Sequence, residues 1–289
     1  YIAVAMQSLI RYAQARACTV SAYTQGTLDV YNREYYQPLF DENITMRGTP
    51  PVSAGGAYQR DPLIWDMSGG SLGRLFLVIR DAAGEDLEAI VGQSRAYSFF
   101  GRADLVVFLF DPLRLNSIRQ VLSGVIPDVD QKRLGVPADK VLANVLNQVE
   151  RSDVPLALTI SKFDSLQQLP QADNPLAMPM ANPGAQFNRD DTMARSAKPA
   201  RDAVKMLDRD SELLDAELRT LYQDLGQNNV VLLAEQALQS HKIGKLRHFA
   251  VSALGETPVH NQQLTLRGVS PFRVLDPILW GMAQAGYLF

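Results

Sequence analysis

The feature that most constrains the fold is a mostly apolar segment at 76–80 that runs directly into Asp81-Ala-Ala-Gly84 and then into Glu85. An apolar run bounded in this way predicts a buried β-strand. A carboxylate just after a strand in an α/β protein can hold Mg²⁺, and a glycine beyond it can offer its backbone N–H to a phosphate. The same residues also suit an ordinary strand-to-helix turn, so both interpretations stay open at this point.

Two later segments repeat this layout of an apolar run that ends in a short polar motif. The segment at 154–160 ends in Ser161-Lys-Phe-Asp164, and the segment at 247–251 ends in Ser252-Ala-Leu254. The carboxyl ends of parallel strands meet at one edge of a sheet, where ligands of α/β proteins bind. The sequence therefore predicts that motifs far apart in the chain converge at one edge of an α/β sheet.

In this order, the motifs resemble those of Ras-like GTPases of the translation-factor class, including bacterial double-GTPase-like families. The matching boxes of that class are Asn/Thr-Lys-x-Asp and Ser-Ala-Lys/Leu, with Ser161 standing here in place of Asn. The resemblance implies a three-layer P-loop NTPase fold, α/β with a mostly parallel sheet. It also implies a set of nucleotide-binding residues: Gly84, Ser161, Lys162, Asp164, Ser252, Ala253 and Leu254.

The resemblance further implies a metal site and a catalytic residue. Asp81 and Thr49 would hold Mg²⁺, with Thr45 as the second candidate, although a Gly-Thr-Pro sequence also suits an ordinary turn. Glu85 stands where Ras-like enzymes place the glutamine that orients the attacking water. The implied activity is slow, partner-regulated hydrolysis of GTP to GDP, with a regulatory protein as partner.

The first residues bear on whether that activity is present. Residues 1–16 place Ile2, Met6 and Leu9 on one helical face, and no Gly-x-x-x-x-Gly-Lys-Ser/Thr occurs in the chain. In the resembled class such a helix follows the phosphate loop, so we expect that loop to precede Tyr1. The alternative is a pseudo-GTPase in which residues 1–5 form a strand and which acts, without nucleotide, as an interaction or scaffold module.

Length and composition predict one α/β domain over residues 1–289. Residues 63–67 and 74–80 flank a glycine-rich turn and predict an antiparallel hairpin. Residues 166–199 are rich in Pro, Met, Asn and Gln without clear periodicity, which predicts an insertion loop. Ser211 is predicted to cap a helix that ends near Gly226.

Charge and cysteine content narrow the class of protein. A net charge of −3 argues against a large nucleic-acid interface. Cys18 is the single cysteine, which suits a reducing compartment, so we expect a cytoplasmic protein. No run approaches the ~20 apolar residues of a membrane span. The sequence leaves the oligomeric state and the pathway open.

Overall fold

The computed structural model describes residues 1–45, 61–70, 72–89, 92, 95–127, 136–258, 264 and 268–287. Within these ranges the protein is mixed α/β, and its strands form one antiparallel and one parallel sheet of three strands each. The prediction of an α/β fold is confirmed. The described residues do not establish the finer prediction, a three-layer P-loop fold.

The antiparallel sheet consists of β1 (Cys18–Ala22), β2 (Leu63–Gly69) and β3 (Gly73–Ile79), in that order. The predicted hairpin is confirmed by the pairing of β2 with β3, whereas β1 was not predicted. Gly69 has φ +117°, and a Cβ there would lie 2.7 Å from the carbonyl oxygen of Ala17. This close approach explains why glycine ends β2.

The parallel sheet consists of β4 (Val106–Phe110), β5 (Pro155–Ile160) and β6 (Lys245–Ala250). β5 lies in the middle and every one of its residues is buried, as its continuous apolar sequence predicts. β4 and β6 are the two edges.

The helices surround these sheets. The described α-helices are α1 (Ile2–Gln14), α2 (Gln25–Tyr31), α3 (Gly84–Ala89), α4 (Asn116–Val121), α5 (Ala138–Gln148), α6 (Phe163–Leu166), α7 (Ala177–Ala181), α8 (Thr192–Ser196), α9 (Ala200–Asp224), α10 (Asn228–Gln239) and α11 (Asp276–Gln284). A π-helix, Asn32–Asp41, continues α2, and 3₁₀-helices span Arg95–Arg102, Pro112–Arg114, Leu169–Gln171 and Gln186–Asn188. The predicted first helix is confirmed, so the alternative of a strand over residues 1–5 is wrong.

Helix α9 is central to the packing around the parallel sheet. Its buried Leu207, Leu214, Leu218 and Leu221 recur at helical spacing, and the helix packs against β6 and α11. Ser211 lies in the middle of this helix and donates its hydroxyl to the Asp208 carbonyl at 2.9 Å. The predicted N-cap at Ser211 is therefore wrong, because the helix already begins at Ala200.

Residues 166–199 have regular structure of their own rather than forming a loop. They contain α7, α8 and two 3₁₀-helices, each too short to give a recognisable hydrophobic period. The carboxylate of Glu217 on α9 accepts the backbone N–H groups of Gln186 and Phe187 at 2.9 and 3.0 Å. These bonds hold the segment against the rest of the protein.

Among the helices of the described ranges, none combines the length and the apolar character needed to cross a membrane. The assignment of residues 1–289 to one domain stays a prediction.

Candidate functional site

The carboxyl ends of the parallel strands bring most of the predicted site residues together. Ser161 directly follows β5, and both its backbone N–H and its hydroxyl donate to the carbonyl of Phe110 at the end of β4, at 2.7 and 2.9 Å. Because parallel strands share this edge, the two segments meet although 51 residues separate them.

Lys162 is directed along this edge toward β4. Its backbone is left-handed, with φ +49°, and its Nζ lies 2.6 Å from Oδ2 of Asp111, the residue that follows β4. The other carboxylate oxygen of Asp111 accepts the backbone N–H of Leu113 at 2.9 Å. The ammonium group is therefore already neutralised by a protein carboxylate, in a half-exposed pair of modest energy.

Asp164 and Ser252 form a buried hydrogen bond between the segments after β5 and β6. The Ser252 hydroxyl donates to Oδ1 of Asp164 at 2.6 Å, and the Ser252 oxygen accepts the backbone N–H of Gly255 at 2.8 Å. Burial raises the pKa of the Asp164 carboxyl, and the Ser252 hydrogen bond opposes that rise. This arrangement fastens two loops to each other and leaves little of Asp164 accessible to a ligand.

The residues after Ser252 also make contacts within the protein. Ala253 and Leu254 are half-buried and pack against the core. The Leu254 carbonyl accepts the backbone N–H of Ser270 at 2.8 Å, and Ser252 exchanges two backbone hydrogen bonds with Phe272. The predicted Ser-Ala-Leu motif thus holds the segment that leads toward α11.

The predicted phosphate and metal residues follow the antiparallel sheet, and the cavity that they line also reaches Asp111 at the end of β4. Asp81 and Gly84 follow β3 and line a large cavity, as does Thr45. Gly84 is the first residue of α3, and Glu85 follows it within that helix, although the side chain of Glu85 falls outside the described residues. Thr49 also lies outside the described residues.

The described residues do not supply a recognisable metal site. They contain no group of three or more His, Cys, Asp or Glu side chains placed to hold an ion. Asp81 alone is a poor donor set for Mg²⁺, which is bound through several oxygens. Binding of Mg²⁺ stays a prediction.

Sequence reasoning missed two buried polar clusters. Asp276 pairs with both Arg195 and Arg273, and His248 lies 2.8 Å from Asp215. A sequence signal was present, since Asp276 stands before Pro277 at the start of a helix. An aspartate before a proline is typical of a helix cap, so this signal does not indicate an ion-pair partner.

Comparison with known proteins gives one informative match. The sequence is 33% identical to the putative ESX-1 scaffolding and assembly protein SaeC of Mycolicibacterium smegmatis, over all 289 residues of this chain and 72% of that protein. No family model and no solved structure matches the sequence.

This match corrects the interpretation of the strand-end motifs. A relative over the whole chain is named a putative scaffolding and assembly protein, and no comparison supports a GTPase family. The identification as a Ras-like or double-GTPase-like P-loop protein is therefore wrong, and with it the assignments of GTP binding and GTP hydrolysis. The structure adds that the polar groups of Asp164 and Lys162 are bonded within the protein, to Ser252 and Asp111.

Proposed function

The chain belongs to the same family as the putative ESX-1 scaffolding and assembly protein SaeC, and from this premise we propose that it is a protein-interaction module that supports ESX-1 assembly. The observation that carries the proposal is the 33% identity along all 289 residues. A match confined to one motif would support a shared local structure. A match over the whole chain supports a shared role.

The carboxyl edge of the parallel sheet supports a role without nucleotide. Asp164 is buried against Ser252, and Lys162 is paired with Asp111. A ligand that displaced the buried Asp164–Ser252 bond would leave polar groups to find new partners, which costs about 1–3 kcal/mol for each buried group. The proposed role needs no such rearrangement.

Two exposed methionines are suited to protein contacts. Met178 in α7 and Met193 in α8 are 85% and 76% exposed. Both belong to the segment that Glu217 holds in place through Gln186 and Phe187. Methionine side chains are flexible and polarizable, and they are common at surfaces that bind other proteins. We propose Met178 and Met193 as contact residues for an ESX-1 component.

The proposal is tested by affinity purification of the tagged full-length protein from its own host, with the co-purified ESX-1 components measured by quantitative mass spectrometry. We expect the double variant Met178→Asp, Met193→Asp to lose about tenfold or more of these components, as loss of a central interface contact does. Leu213→Asp on α9 is the matched control, because Leu213 is also an exposed apolar residue. If no ESX-1 component is enriched with the unaltered protein, the proposed function is wrong.

A second measurement tests independence from nucleotide. GTP at 1 mM with Mg²⁺ would stabilise a site of 10 µM affinity by about 2.7 kcal/mol, because the stabilisation follows the ratio of ligand concentration to Kd. For a chain of this size that would raise Tm by roughly 5–10 °C. We expect no change in Tm by differential scanning fluorimetry, with ATP as the parallel sample. A rise that is specific to GTP would contradict the proposal.

A further inference from the structure

A second cavity lies at the amino end of β6, whereas the Ser252 motif follows the opposite end of that strand. Its volume is about 500 Å³, which is within the range of about 300–1,000 Å³ that is typical of small-molecule sites. Four elements line it: α9, the end of α10, the start of β6 and the last turns of α11. We call this cavity the β6 pocket.

Apolar side chains from the three helices line the β6 pocket. Leu207 comes from α9 and Leu238 from α10. Trp280 and Ala283 are three residues apart on α11, so they lie on one face of that helix. The Trp280 ring packs against Phe249 of β6, with the ring centroids 5.6 Å apart. Walls of this kind favour a ligand with an apolar body, because its contact with them removes apolar surface from water.

Gly244 fixes the start of β6 beside the pocket. Its N–H donates to the Val154 carbonyl at 2.9 Å, and a Cβ at Gly244 would lie only 2.5 Å from the carbonyl oxygen of Asp153. Glycine is therefore needed for this close approach of the backbone. The contact sets the position from which Lys245 and Arg247 extend, and as alternate residues of a strand these two lie on the same face.

Lys245 and Arg247 bring two positive charges to the pocket. Within the described part of the chain, neither side chain is hydrogen-bonded to a carboxylate. The Lys245 ammonium donates to the neutral side-chain oxygen of Gln284. The Arg247 guanidinium lies 3.8 Å from the exposed Asp208 carboxylate, which is too long for a hydrogen bond. Two cations and one carboxylate thus give the lining a positive charge.

Two N–H donors of lining residues are buried without a hydrogen-bond partner among the residues that the structure describes. They are Nε of Arg247 and Nε1 of Trp280. Buried donors normally have partners, because an unpaired one costs free energy. A guanidinium group binds a carboxylate through two parallel N–H groups, and the Arg247 side chain is 21% exposed. Its unpaired Nε–H therefore favours a carboxylate as the ligand's polar group.

We propose that the β6 pocket binds a small carboxylic acid with an apolar body. The carboxylate accepts hydrogen bonds from Arg247 and Lys245, and the apolar body lies against the helix side chains. Such a ligand neutralises the charge of the lining and also covers its apolar walls. The inference does not depend on the proposed ESX-1 role, because neither Met178 nor Met193 lines the pocket.

The ligand class is tested by isothermal titration of the full-length protein with octanoate. We expect a Kd of about 1 mM or tighter, a modest affinity for a ligand of about ten non-hydrogen atoms. Octanol and octylammonium have the same apolar chain without the negative charge, so we expect each to bind at least about tenfold more weakly. Equal binding of the three probes, or no binding of octanoate at millimolar concentration, would overturn the proposal.

The same titration on variants tests the contact with Arg247. We expect Arg247→Gln to weaken octanoate binding about tenfold or more, because it removes a charged pair of hydrogen bonds. Lys205→Gln is the matched control, since Lys205 is an exposed cation on α9 that does not line the pocket. It should change the affinity less than about twofold. An equal loss in both variants would indicate distant charge attraction without contact and would overturn the proposal.

Two further variants leave Arg247 in place and keep the proposal testable if Arg247→Gln does not fold. Asp208→Asn removes the carboxylate that competes for Arg247, so octanoate should bind about two- to fivefold more tightly. Ala283→Leu fills part of the pocket, so octanoate should bind at least about tenfold more weakly. If Ala283→Leu leaves the affinity unchanged, octanoate binds elsewhere and the proposal is wrong.

Discussion

Asp276→Asn removes the shared negative charge from a buried ion cluster. Asp276 at the start of α11 is fully buried, as are Arg195 and Arg273, the two guanidinium groups that it contacts. Its Oδ2 lies 2.7 Å from Arg273, and its Oδ1 accepts a hydrogen bond from Arg195. Asparagine has nearly the same shape but leaves the two cations with one carboxylate fewer.

The expected loss of stability is about 3 kcal/mol. Removing one partner of a buried ion pair costs about 3–5 kcal/mol, because the remaining charge is left uncompensated. Both arginines keep other acceptors, which favours the lower end of that range. Arg195 lies 3.5 Å from Asp210, and Arg273 donates to the Gln186 carbonyl at 3.1 Å. A loss of about 3 kcal/mol is a large part of the 5–15 kcal/mol typical of a whole protein.

Urea unfolding measures this loss through the midpoint and the slope of the transition. Circular dichroism and tryptophan fluorescence should give coincident curves if unfolding is two-state, and Trp280 in α11 reports on the same region. Asp208→Asn is the control, because Asp208 is exposed and lies 3.8 Å from Arg247, a pair worth about 1 kcal/mol or less. If Asp276→Asn costs no more than this control, the account of the buried cluster is wrong.

Two further predictions concern a glycine and a titrating pair. Gly255→Ala should destabilise the protein by more than Gly226→Ala in the same urea assay. Both glycines have positive φ. Only at Gly255 would a Cβ meet a backbone atom, the Ser270 oxygen at 2.2 Å. For Asp215, burial opposes ionisation, but the hydrogen bonds and charge interaction with His248, together with the charge of Arg219, lower the carboxyl pKa. Its contribution to stability is therefore present above the unfolded-state pKa of about 4 and is lost as the pH falls through the folded-state pKa. Asp215→Asn should flatten the acid limb of the stability curve below about pH 5, and an unchanged limb would contradict this.

The sheets were largely predictable from the sequence, whereas some connections between them were not. The strands β3, β4 and β5 stand out because they are long apolar runs. β1 was missed because Cys-Thr-Val-Ser-Ala is short and only weakly apolar, and its pairing with β2 defines it. The segment 166–199 was interpreted as a loop because its helices are shorter than the window in which a helical period becomes visible.

Buried polar contacts were the least predictable part of the candidate site. Asp276 and Arg195 are 81 residues apart in sequence, and each is an ordinary charged residue until the fold brings them together. Asp164 and Ser252 are 88 residues apart, yet their proximity could be predicted, because both follow parallel strands of one sheet. Topology alone predicted where they meet. It did not predict which groups they would bond.

The residue types at a strand end do not by themselves distinguish a ligand site from structural bracing. Where parallel strands end, backbone groups lose their ladder partners and need others. Ser161 satisfies the Phe110 carbonyl here, and Ser252 accepts the Gly255 amide while it donates to Asp164. The serines and the aspartate therefore make structural hydrogen bonds at this edge without any nucleotide. Motifs of the Ser-Lys-x-Asp and Ser-Ala-Leu type can arise from that requirement alone. A ligand site is therefore indicated by accessible polar atoms in the motif, not by its sequence.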